Sequence, residues 1–120
     1  MKTVWLLFGS LSLFTPAMAH EPYTGTIDPV TTGSCCGGTD CAILSITKTM
    51  LTPAENGYRL VLSAAEAAKI NPYRTTPIDT VIPWERVQPS WDGQFHLCVP
   101  SHRNTSMKAD FYCFWAPPNT

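Results

Sequence analysis

Five cysteines, at positions 35, 36, 41, 98 and 113, constrain this chain more than any other feature. Their chemistry depends on the compartment, and the N-terminus speaks to that. Lys2 is followed by an apolar run over 4–14 and then Pro16-Ala17-Met18-Ala19, an A-x-A pattern. This reads as a secretory signal peptide over residues 1–19, cut after Ala19. The run is too short for a stop-transfer helix. Residues 20–120 then form one small domain in an oxidising compartment, periplasmic or secreted, where paired cysteines are the default.

Removing 19 of 120 residues leaves 101, with seven basic against nine acidic side chains. A domain of that size buries only a modest core, so covalent staples matter. An odd number of cysteines permits two internal bonds and leaves one thiol, which can join two chains into a covalent dimer. Fifteen arrangements are open. A bond between adjacent Cys35 and Cys36 is disfavoured by geometry. The expectation is that the 35-36-41 cluster is clamped to Cys98 and Cys113. Bonds closing such long loops contribute about 3–5 kcal/mol each in the chain-entropy model.

Eleven prolines and seven glycines break the chain into short elements. Strands are predicted over 42–50, 58–62, 78–82, 94–99 and 110–115. In the second, Tyr58, Leu60 and Leu62 share a face opposite Arg59 and Val61. In the fourth, Phe95, Leu97 and Val99 oppose His96 and Cys98. Asn56-Gly57 signals a hairpin turn at positive φ, and Trp91-Asp92-Gly93 a second turn. Residues 20–34 read as an extended arm or loop. One helix is predicted over 64–70, begun by a Ser63/Glu66 capping box and ended by a left-handed Asn71 before Pro72. The fold class is α+β and β-rich: a small disulfide-stapled antiparallel sheet with one short helix.

Several chemistries can be weighed on these residues. No Lys/Arg run exists to grip a phosphate backbone, which argues against nucleic acid. No second long apolar segment follows the leader, so no membrane span is expected after cleavage. A mature N-terminal His20 would offer its amine and imidazole to copper, with His96 or His102 as a further ligand. Cys36-x4-Cys41 with His96-x-Cys98 is a loose zinc alternative. His96 and Cys98, two apart on one strand, are poorly placed as a thiol-based nucleophile pair. Asp28, Asp40, Asp79, Glu85, Asp92 and Asp110 are scattered, with no hydrolase or calcium-loop spacing. Asn104-Thr105-Ser106 fits a glycosylation acceptor. Trp84 and Trp91, both in expected loops, are the best candidates for an aromatic surface that grips a protein or small ligand.

Five patterns occur together: His20-Glu21-x-Tyr23, Cys35-Cys36-x-x-x-Asp40-Cys41, Ile82-Pro83 before Val87-x-Pro89-Ser90, Asp92-Gly93-x-Phe95-His96-x-Cys98, and Cys113-Phe114-Trp115-Ala116-Pro117-Pro118. The combination resembles a group of small uncharacterised secreted proteins of Gram-negative bacteria, mostly alphaproteobacteria. The resemblance implies an extracytoplasmic bacterial protein and transfers no activity, cofactor or site. The expectation is a non-enzymatic binding or accessory protein, without a cofactor unless His20 takes copper.

Overall fold

A computed structural model describes residues 23–35, 40–101 and 110–118. The elements in chain order are β1 (Cys41–Ile43), β2 (Leu51–Ala54), β3 (Gly57–Leu62), α1 (Ala64–Ile70), β4 (Ile78–Pro83), a 3-10 turn (Trp84–Arg86), β5 (Val87–Pro89), β6 (His96–Cys98) and β7 (Cys113–Ala116). They form two sheets, ordered β1-β6-β7-β5 and β2-β3-β4. The fold is α+β and β-rich, as expected, with two disulfides, Cys35–Cys113 and Cys41–Cys98. The expected clamp from the early cysteines to the late strands is therefore present. The fifth cysteine, Cys36, lies outside the described residues, as do the expected leader and its cleavage site.

The three-stranded sheet follows from local signals. β2 and β3 pair antiparallel with Ala54 opposite Gly57, so Glu55 and Asn56 span the turn. The hairpin is where the sequence placed it, but for a different reason. Neither Asn56 nor Gly57 has positive φ, which among the described residues occurs only at Gly25, Thr32 and Gly93. Gly57 is required because a Cβ there would lie 1.8 Å from the Ile82 carbonyl oxygen on β4. β3 alternates as expected, with Tyr58, Leu60 and Leu62 buried and Arg59 and Val61 exposed. α1 begins at the Ser63/Glu66 capping box. Its end differs from expectation. Asn71 is extended (φ −127°) rather than left-handed. Its side chain ties the chain down instead, donating to the Val99 carbonyl at 2.9 Å and accepting from the Tyr73 amide at 3.0 Å.

The other sheet is assembled from distant segments. β6 pairs antiparallel with β1 and β7, and β5 runs parallel to β7. The expected 42–50 strand shortens to β1, with Ile43 51% exposed; β2, interrupted by Pro53, was not expected. The last strand starts at Cys113 rather than at 110.

Register assigns the two faces of this sheet. Ala42, Leu97, Phe114 and Val87 lie in one row and meet the main core, which includes Leu60, Leu62, Ile70, Ile78 and Ile82. Ile43, His96, Trp115 and Gln88 form a row on the opposite face, with Cys41, Cys98 and Cys113 beside it. Residues 23–35 attach to that second face. The molecule thus has three layers: an irregular arm, a four-stranded sheet, and the three-stranded sheet with its helix. Buried Arg74 pins the loop after α1 to the far end of β6, bonding the Thr76, Pro77 and Pro100 carbonyls and Asp110.

Candidate functional site

The arm is held at three points. Cys35 is bonded to Cys113. Asp28, fully buried, accepts from the Val30 and Thr31 amides at 2.8 Å each and pairs with Arg86 Nε at 2.8 Å. Burial alone would raise the Asp28 pKa, but the Thr31 amide, Arg86 and the Val30 amide together hold it below the usual aspartate range. Arg86 also donates to the Tyr112 carbonyl, and its guanidinium lies 4.0 Å from the Phe111 ring centroid.

The third point has the most chemical character. Tyr23 Oη lies 2.7 Å from His96 Nδ1, and His96 Nε2 lies 2.7 Å from Asp92 Oδ1. A carboxylate only accepts, so Nε2–H donates to Asp92 and, in the neutral imidazole, Nδ1 accepts the phenol proton. The His96 hydrogen bond holds Asp92 below the usual aspartate range, against a smaller rise from burial, and the Gln94 amide adds to the lowering. Trp91 stacks on His96, with ring centroids 4.3 Å apart and planes 27° apart, and meets Tyr23 and Trp115 edge-on at 5.6 and 5.5 Å. Gly93, at φ 74°, turns the chain so that Asp92 and Trp91 both fold back on His96.

A Tyr–His–Asp chain invites comparison with a relay that activates a nucleophile. Here Tyr23 and His96 are buried and spend their polar atoms on each other and on Asp92. Asp92 reaches solvent, and so does Trp91, 49% exposed, an indole whose inner side is fixed by His96.

The other anticipated residues are distributed as follows. Trp84 is half-exposed, but it packs edge-on against Tyr58 at 4.8 Å, whereas Trp91 meets Tyr23, His96 and Trp115; the two indoles belong to different clusters. Cys41 and Cys98 share a disulfide, so neither is the thiolate that a zinc site or a nucleophile needs. Both His96 ring nitrogens are engaged within the fold. His20 and His102 lie outside the described residues. Among the described residues no group of three or more His, Cys, Asp or Glu side chains could hold a metal ion. No helix among them is long and apolar enough to cross a membrane.

Sequence reasoning missed Tyr23, Asp28 and Arg86 as partners. Asp28 and Arg86 are 58 residues apart, and Tyr23 and His96 are 73 apart. No local pattern encodes such pairs. Comparison with protein-family models, with the curated proteins and with the solved structures gives no match to this chain.

Proposed function

We propose that this chain is an extracytoplasmic, disulfide-stabilised, non-enzymatic binding or accessory protein whose recognition surface centres on Trp91. One observation carries this reading: a half-exposed indole stacked on a histidine that is itself locked by Tyr23 and Asp92. An aromatic surface fixed before contact loses little conformational entropy on binding. The two disulfides agree with an oxidising compartment, and the A-x-A pattern before His20 supplies the route there.

The test uses oxidised protein of residues 20–120, native and Trp91→Ala, on a glycan array and against a random peptide library. The expected result is a ligand class captured by the native protein and lost in the variant, with thermal stability kept. Capture that is indifferent to Trp91→Ala, or turnover of a substrate by the native protein, would overturn the reading. A copper site is the alternative, resting on the free amine and imidazole that cleavage would create at His20. With His96 committed inside the fold, His102 is the histidine left to assist. Native mass measurement with one equivalent of Cu(II), repeated on His20→Ala, decides it: a His20-dependent one-copper adduct favours this alternative.

A further inference from the structure

The two sheets have four outer edges, and three carry a proline where the backbone faces away from the sheet. In β2–β3 the Val61 amide bonds the Met50 carbonyl. Alternation from that pair turns Leu51 and Pro53 outward on β2. In β3–β4 the Trp84 amide bonds the Asn56 carbonyl, which turns Asp79, Val81 and Pro83 outward on β4. On β5 the Ser90 amide bonds the Ala116 carbonyl, so Val87 and Pro89 face outward; the Val87 amide is already taken by the Trp84 carbonyl. A proline facing outward has no N–H to offer an incoming strand, which is how natural edges are blunted.

β1 is the exception. The Val99 amide bonds the Asp40 carbonyl and the Leu44 amide bonds the Phe95 carbonyl, so Cys41 and Ile43 direct their N–H and C=O groups away from β6. β1 ends its sheet, and neither residue is proline or charged. Beside this edge lies a groove of about 190 Å³ lined by Leu44, Met50 and Ile70 with Ser45, Glu66 and Lys69 at its sides. One wall is thus the open strand and the other is α1. Ile43, 51% exposed, lines the groove and pairs across the sheet with His96, the residue beneath Trp91.

We propose that β1 is a strand-addition site for an extended polypeptide segment of a partner protein. The claim rests on the binding reading above and names its partner class. Outward N–H and C=O groups alternating along a strand are complemented by another extended backbone, not by a sugar or a helix face. Side chains on one side of the added strand reach the Leu44–Met50–Ile70 groove, so that side carries an aliphatic residue. Side chains on the other lie on the face where Ile43 pairs with His96.

The experiment selects binders from a phage-displayed random dodecapeptide library on oxidised protein of residues 20–120. Affinity is then measured for the native protein and for Ile43→Pro, which removes one outward N–H and leaves the β1–β6 bonds in place. The selected peptide is also N-methylated at alternate positions, a change that leaves the protein untouched. Expected are aliphatic-rich peptides, slowed amide exchange at Cys41 and Ile43 on binding, and about tenfold weaker binding for Ile43→Pro and for one N-methyl register but not the other. Peptides indifferent to both changes, or a library that yields none, overturn the proposal. Protection of Cys41 and Ile43 that rises with protein concentration alone would assign the edge to a second copy and also overturn it. Binding lost in Trp91→Ala but kept in Ile43→Pro would reject the edge while leaving the Trp91 reading intact.

Discussion

The two faces of the β1-β6-β7-β5 sheet are closed by different means. The inner face meets a second sheet and a helix, and its row of Ala42, Leu97, Phe114 and Val87 joins one continuous apolar cluster. The outer face meets an irregular segment, residues 23–35, fastened by a disulfide, a buried ion pair and a phenol–imidazole hydrogen bond. A segment with no periodic apolar stripe cannot seal a sheet by area. It is held instead at specific points, and each point can be removed by a specific chemistry. The inner face responds to lost volume, whereas the outer face responds to reductant, acid and single polar deletions.

The largest expected effect is reduction of both disulfides. Each closes a long loop, so losing the pair costs about 6–10 kcal/mol in the chain-entropy model, most of a small domain's stability. Thermal unfolding followed with and without dithiothreitol checks this. A reduced protein that melts within a few degrees of the oxidised one would assign the stability to the core alone.

Next are Phe114→Ala and Arg86→Ala, which should separate the faces at similar cost. Phe114→Ala opens a cavity in the main core and should cost about 3–5 kcal/mol. Arg86→Ala leaves Asp28 buried with its two amide donors but without its counter-charge, again about 3–5 kcal/mol. Denaturant titration gives the size; amide exchange gives the place. Phe114→Ala should speed exchange in β3 and β7 together, Arg86→Ala chiefly in the arm.

Acid should act chiefly on the outer face, because Asp28 is buried, whereas Glu66 and Asp79, also held low by Ser63 and Arg59, are solvent-accessible and contribute little. Asp28 and Asp92 are both held below the ordinary aspartate value of about 3.9. A carboxyl with a depressed folded pKa contributes its full stability above the unfolded value and loses it as pH falls through the folded one. Protection of the arm amides Asp28 and Thr32 should therefore fall below about pH 4, before protection in β3 does. Asp92→Asn should flatten part of that slope.

The smallest effects come from single polar groups. Tyr23→Phe removes one buried hydrogen bond and should cost about 1 kcal/mol. Arg59 and Asp79 make a two-point ion pair on the solvent face of the three-stranded sheet, with both side chains more than half exposed. Arg59→Ala should change stability by less than about 1 kcal/mol.

The same contrast explains what could be read from the residues alone. α1, the β3 alternation and the opposed faces of β6 are visible because their causes lie within a few residues: a Ser63/Glu66 box and a period of two; the turn before Gly57 was placed rightly, but the cause of that glycine is Ile82 on a distant strand. The main-core side was legible through such patterns. The arm side was legible only through the cysteines, which announced that early and late segments meet. Its ion pair, its tyrosine latch and the parallel β5–β7 pairing rest on contacts with no local signature. Trp91 and Trp84 were singled out together as exposed aromatics. They differ because Trp91 lies above His96 and Trp84 against Tyr58, a distinction set by which sheet each loop leaves. The open β1 edge was hidden by reading 42–50 as one strand, when the chain leaves the sheet after Ile43.

The measurement that tests the contrast most directly is residue-resolved hydrogen exchange on the Cys35→Ser/Cys113→Ser double variant. The expected result is loss of protection at Thr26, Asp28, Thr32 and Cys35→Ser, with slow exchange retained from Tyr58 to Leu62. Unchanged arm protection, or loss of protection in both regions together, would contradict the account.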